Sequence, residues 1–73
     1  MLLSDLQGKD IINIETGINL GRIVDVEVST NGNIINFVAE QKRFFKLFFK
    51  ASETSFNFDN IKKIGTDVIL IKM

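Results

Sequence analysis

A chain of 73 residues with nine basic and nine acidic side chains, and no His or Cys, excludes several functions at once. It has room for one domain, spanning 1–73, no disulfides and no ordinary zinc site. Its net charge of zero gives no overall basic field for broad capture of nucleic acid. A domain of this size buries only about 60–65% of the surface its unfolded chain exposes. Stability must therefore come from close packing of aliphatic and Phe side chains, and burial against a second copy, as a homodimer, is expected. Met1-Leu2-Leu3 meets polar Ser4-Asp5 at once, which is not the apolar core of a signal peptide. No apolar run approaches the ~20 residues needed to span a bilayer, so a cytoplasmic protein is expected.

Along the chain, Ser4-Asp5-Leu6-Gln7 reads as a capping box with Ser4 at the N-cap. Gly8 ends that turn, leaving a short helical entry. Lys9 to Ile14 is predicted as the first strand, and Glu15-Thr16-Gly17 as a turn. From Leu20 to Val28 the pattern alternates, with Leu20, Arg22, Val24, Val26 and Val28 expected on one mostly apolar face. Gly21, Ile23, Asp25 and Glu27 fall on the other. Asn31-Gly32 is a strong hairpin signal, because both residues tolerate positive φ. The return strand runs from Asn33 to Glu40 and is substantially apolar on both faces. After the polar break Ala51-Ser52-Glu53-Thr54, a short strand is predicted at Ser55–Phe58. A single helical turn follows, capped by Asp59 and running to Ile64. Gly65 closes it, and Asp67 to Lys72 is a final buried strand. Short strands, tight turns and little helix describe a small, curved β-barrel.

The catalytic inventory is poor. Without His, Cys, Tyr or Trp, the commonest general bases, thiol nucleophiles and phenolic acids are missing. Asp25 and Glu27, two apart on one strand face, have the chemistry for a hard cation, but a solvated face is the simpler reading. Gly17-x-x-x-Gly21 lacks the Gly-Lys-Ser/Thr of a P-loop, so these glycines are expected to serve turn geometry and close backbone approach. Arg22, placed on the apolar face, is expected in an ion pair or at the barrel rim.

Four of the seven Phe residues fall within six positions of the run Arg43-Phe44-Phe45-Lys46-Leu47-Phe48-Phe49-Lys50. At a helical period Phe44, Phe45, Phe48, Phe49 and Leu47 share a face, with Arg43, Lys46 and Lys50 opposite. At a strand period Phe45, Leu47 and Phe49 face one side, and Phe44, Lys46, Phe48 and Lys50 mix on the other. One reading places two or three of the rings in the barrel; the other leaves at least two exposed as a docking surface. Basic residues beside aromatics can also stack on single-stranded RNA or touch a membrane surface weakly.

Three blocks carry a family resemblance. They are Leu3-Ser4-Asp5-Leu6-x-Gly8-Lys9-Asp10-Ile11-Ile12-Asn13, Gly17-x-x-Leu20-Gly21-Arg22-Ile23-x-Asp25-Val26, and Asp59-x-Ile61-Lys62-Lys63-Ile64-Gly65-x-Asp67-Val68-Ile69. In this order and spacing the chain resembles the PRC-barrel domain, and most of all the stand-alone YlmC/YmxH group of sporulation-associated proteins, from Leu3 to Ile71. The resemblance implies a small barrel that serves as an interaction platform with no established catalytic activity. Related barrels in the photosynthetic reaction-centre H subunit and in the ribosome-maturation factor RimM imply protein contacts, in the second case beside ribosomal RNA. The group belongs to endospore formers. Eleven Ile, seven Asn, seven Lys and seven Phe against two Ala and two Arg agree with an AT-rich bacterial genome. The chain departs from the group at Asn57-Phe58, where Pro-Trp is frequent, and in the absence of Gly from Phe44–Phe49.

The fold expected is all-β: a small PRC-type β-barrel of five to six short antiparallel strands with one or two single-turn helices. The function expected is that of a non-enzymatic protein–protein adaptor in a spore-forming bacterium, with no cofactor and no metal. Its partner-binding residues are Arg43, Phe44, Phe45, Lys46, Phe48 and Phe49. The alternatives are an RNA- or ribosome-associated factor and a weak peripheral membrane binder.

Overall fold

The chain enters through one 3-10 turn, Leu3–Asp5, and then lays down β1 (Asp10–Asn13), β2 (Asn19–Val28) and β3 (Ile34–Glu40). After β4 (Glu53–Phe56) come a second 3-10 turn (Phe58–Asn60), β5 (Ile61–Ile64) and β6 (Val68–Ile71). This computed structural model describes residues 2–41 and 53–73. All six strands join one sheet in the order β4-β3-β2-β1-β6-β5.

The all-β expectation holds, with one correction to the pairing. β1 and β6 run parallel, from Asp10 opposite Val68 to Asn13 opposite Ile71, while every other pair is antiparallel. Both strands carry continuous apolar runs, Ile11-Ile12 and Val68-Ile69-Leu70-Ile71, the pattern of parallel strands covered on both sides. Backbone bonds from Asp10 to Asp67 (3.0 Å) and from Ile14 to Ile71 (2.9 Å) extend the ladder at either end.

The sheet must curl. Phe56 and Ile61 sit in its two outermost strands and are joined by four residues, a reach of at most about 18 Å. Five strand gaps laid flat would span about 24 Å. The curl stops short of closure, since among the described residues β4 and β5 each pair with one neighbour only. The β5 edge is four residues long and carries exposed Lys62 and Lys63, which discourages pairing with another chain.

The curl encloses Leu6, Ile11, Ile23, Phe37, Ala39, Phe56, Ile69 and Ile71, with Leu20, Val26, Ile34 and Ile61 packed against them. Phe37 is its aromatic centre. Its ring stacks on Phe56 (centroids 5.4 Å apart) and meets Phe58 edge-on at 4.9 Å. Fully burying one such side chain contributes roughly 1.5–3 kcal/mol.

Three local expectations are corrected. The entry turn is not capped by Ser4 and Gln7; the Leu2 N–H donates instead to the Asp5 carboxylate at 2.7 Å. The helical turn expected over Asp59–Ile64 is shorter and begins earlier, at Phe58, with Asn57 as its cap. Ile61–Ile64 then pairs as a strand, because Ile61 and Ile64 meet Ile71 and Ile69 across a register shift. Finally, Asn31 does not adopt positive φ; Gly32 alone does so in the hairpin turn. The Gly32 N–H bonds Ser29 O at 2.9 Å and Ser29 N–H bonds Asn33 O at 2.8 Å, a three-residue loop with Gly in the left-handed position.

Candidate interaction surface

The predicted partner-binding residues Arg43, Phe44, Phe45, Lys46, Phe48 and Phe49 lie outside the described residues. What the structure describes is how the chain leaves β3 and enters β4. Glu40, the last residue of β3, stands opposite Arg22 on β2 and opposite Glu53, the first residue of β4. The side-chain amide of Gln41 donates to Asn19 O at 2.8 Å. Beneath this point lies Gly21, at φ +93°. A Cβ there would overlap the Glu40 carbonyl and lie 2.7 Å from the Cα of Gln41, so only Gly lets the two backbones approach. Gly17 serves its turn, donating its N–H to Asn13 O at 2.7 Å.

The faces of β2 differ from strict alternation. Ile23 pairs with Ala39 and Asp25 with Val38, leaving Val24 as an extra residue in a bulge. Partners across an antiparallel pair share a face, so Ile23 with Ala39 and Val26 with Phe37 all point inward despite their odd spacing. Arg22 lies with Glu40 on the outer face, not on the apolar face. Its Nε bonds Asp10 Oδ1 at 3.2 Å, with side chains 62% and 42% exposed. This is the expected ion pair, and in such exposure it is worth about 0–1 kcal/mol.

Asp25 and Glu27 do share the outer face, as their spacing implied. The Glu27 carboxylate accepts from the Asn36 amide at 2.9 Å, and Asp25 accepts from the Val26 N–H at 2.8 Å. Neither forms an ion pair among the described residues, and no group of three or more possible metal ligands occurs among them. No described polar or charged side chain is buried.

Strand lengths set the end of the hairpin, with Glu27, apart. β2 has ten residues and β3 seven, but β1 pairs with β2 only at Asn19 and Gly21. β4 covers β3 only from Phe37 to Glu40. The end of the hairpin, Glu27–Val28 with Ile34–Asn36, projects as a two-stranded arm. Val28 and Ile35 on it are 56% and 46% exposed, and Val24, in the bulge nearer the base, is 54% exposed. Sequence reasoning did not anticipate the arm; the absence of any basic residue between Arg22 and Lys42 was its available signal.

Near the opposite end of the chain, Phe58 is half exposed with one edge on Phe37. Its turn is held without proline. The Asn57 N–H donates to Asn60 Oδ1 (2.9 Å), the Asp59 N–H to Asn57 Oδ1 (2.9 Å), and the Asn60 amide to Lys72 O (3.1 Å). Among the described residues, no helix is long and apolar enough to cross a membrane.

Comparison with known proteins agrees with this architecture. The PRC-barrel domain family matches residues 1–73. The chain is 34% identical to the "Probable sporulation protein YlmC" of Bacillus subtilis, over 97% of this chain and 90% of that protein. It is 29% identical to an uncharacterised protein of Clostridium acetobutylicum, over 94% and 80% of the two chains. A curled six-stranded sheet, blocks spaced as in the family and a match along the full length lead to one conclusion: the chain belongs to the PRC-barrel family.

Proposed function

We propose that this chain is a non-enzymatic protein–protein adaptor that works in the cytoplasm of a spore-forming bacterium. The supporting observation is one of composition. Residues 42–50 carry four Phe and four basic side chains with no acid, in a chain that has no His, Cys, Tyr or Trp for catalysis. Arg43, Phe44, Phe45, Lys46, Phe48 and Phe49 form its contact surface: the rings supply apolar area, and the basic groups select acidic partners. Similarity to a probable sporulation protein supports the cellular setting.

The test is quantitative cross-linking and affinity capture from sporulating cells, comparing the unaltered chain with Phe44→Ser/Phe48→Ser. Specific partners are expected to be lost from the variant while its circular dichroism stays the same; identical partner sets would defeat the proposal. The four basic groups interleaved with aromatics also fit a second reading, contact with single-stranded RNA. That reading requires co-sedimentation with ribosomes that weakens as salt rises, and a protein found only in the free fraction at low salt rules it out.

A further inference from the structure

The chain has seven asparagines, and the residue that follows each one sorts them chemically. Six precede Ile, Leu or Phe; Asn31 alone precedes a glycine, Gly32. An asparagine side chain is lost as ammonia when the next backbone nitrogen attacks its amide carbon and closes a five-membered imide. A bulky side chain on the attacking residue hinders that approach, and glycine has none.

The structure shows what keeps the two reacting groups from meeting. The proton on Gly32 N must leave before the nitrogen can attack, and it is donated into the turn, to Ser29 O at 2.9 Å. The Asn31 Oδ1 accepts from the Ser29 hydroxyl, which ties the amide to the same residue. Ser29 Oγ also accepts the Asn33 N–H at 3.2 Å, and the Ser29 N–H closes the loop on Asn33 O at 2.8 Å. Ser29 therefore holds both groups that ring closure must bring together.

Opening this loop disturbs little else. Thr30 to Asn33 are all exposed, and no residue of the loop belongs to the core. Val28 with Ile34 is the last pair of the hairpin ladder, and neither β1 nor β4 reaches it. A two-stranded end without a third strand opens more readily than the packed base of the sheet. That opening frees the Gly32 nitrogen and the Asn31 side chain together.

We infer that Asn31 is a site of spontaneous deamidation, and that local opening of the Ser29–Asn33 loop sets its rate. The Gly32 nitrogen gives its proton to a solvent base and bonds to Asn31 Cγ. The Cγ–Nδ2 bond breaks, and the amide nitrogen leaves as ammonia. Water then opens the imide at either carbonyl, leaving an aspartate at position 31 or an isoaspartate whose main chain runs through the former side chain. Nothing is oxidised or reduced. Either product makes this neutral chain acidic. The new charge joins a hairpin in which every charged residue from Ile23 to Gln41 is already acidic: Asp25, Glu27 and Glu40. The aspartate keeps an acceptor for the Ser29 hydroxyl. The isoaspartate adds a backbone atom to a tight loop that holds Gly32 at φ +89°.

Ageing the folded chain in mildly alkaline buffer tests this, with anion exchange to count the acidic species and peptide mapping by mass spectrometry to locate them. Asn31 is expected to react first, with the other six asparagines unchanged over the same period. In urea above the unfolding transition the loop is absent, and the rate at Asn31 should rise at least about fivefold. Ser29→Ala removes the hydroxyl and leaves the core intact, which native circular dichroism verifies. It is expected to speed the reaction in the folded chain by about two- to tenfold and to leave the rate in urea unchanged. Asn31→Asp has no ammonia to release and is expected to show no further acidic shift. A different asparagine reacting first, equal rates in the folded chain and in urea, or a folded-state rate that Ser29→Ala does not raise each overturns the inference.

Discussion

The base of the sheet and the arm of the β2–β3 hairpin are made from the same two strands and obey different rules. At the base, Ile23 and Ala39 face inward among Ile11, Phe37, Phe56, Ile69 and Ile71, and neighbours on both sides complete the ladders. A few residues further along, the same strands carry Glu27, Val28 and Ile35 outside any third strand. Packing density, not sequence position, marks where this small domain keeps its stability and where it has surface to spare for contacts. Substitutions at the base are therefore expected to unfold the protein, and substitutions on the arm to leave it folded.

The largest effect is expected at Phe37, which is fully buried between Phe56 and Phe58. Phe37→Ala removes a core ring and leaves a cavity, a loss of about 3–5 kcal/mol. A domain of this length is stable by only about 4–11 kcal/mol. Urea denaturation should place the midpoint near or below zero denaturant at the lower end of that range; a midpoint shift worth less than about 1 kcal/mol would contradict the assigned core. Gly21→Ala comes next. The new methyl meets the backbone of Glu40 and Gln41 in a left-handed conformation that itself costs about 1–2 kcal/mol, so a total near 3 kcal/mol is expected from the same measurement. Because the clash lies at the exit from β3, this variant also asks whether strain there reaches the segment that follows.

Much of this contrast was legible in the residues, and the exceptions have physical causes. β1, β2, β3 and β6 were found within a residue or two, because β-branched runs bounded by Gly17, Asn31-Gly32 and Gly65 are local signals. The three-residue spacing of Ile61 and Ile64 fits a helical turn and equally a strand that shifts register, and only its partner β6 decides. The bulge at Val24 is invisible to alternation for the same reason: Ile23 and Val26 both face inward because Ala39 and Phe37 are there to receive them. Parallel pairing of β1 with β6 joins residues nearly sixty positions apart, which no local pattern encodes. Of the candidate site, the composition of Arg43–Phe49 was legible, but its placement falls outside the described residues. The arm went unread because its isolation depends on where β1 and β4 end.

A smaller effect is expected at the closing turn. Asn60 accepts from Asn57 N–H and donates to Lys72 O through one side chain, and its backbone carbonyl accepts from Lys72 N–H at 2.9 Å. Asn60→Ala removes the two side-chain bonds at a partly exposed site and keeps the backbone bond. A loss of about 1–2 kcal/mol is expected by thermal or urea denaturation. That is enough to show that this asparagine pair does the work of a rigid turn, and far less than the loss at Phe37.

The smallest effect on stability is expected at the exposed carboxylates on the outer face of β2. Asp25 and Glu27 are exposed, and each makes a single described hydrogen bond, which the amides in Asp25→Asn/Glu27→Gln retain through their carbonyl oxygens. Surface changes of this kind usually stay within about 0.5 kcal/mol, and removing two like charges from one strand face slightly relieves repulsion. The urea midpoint of this variant should therefore match that of the unaltered chain. A loss of stability as large as that at Asn60 would mean that this face is bound into the folding unit after all, and the distinction between the buried and the outer face of the hairpin would fail. An unchanged midpoint separates the two, because the same strands would then hold the fold together through Ile23, Val26, Phe37 and Ala39 while their outer carboxylates contribute nothing to it.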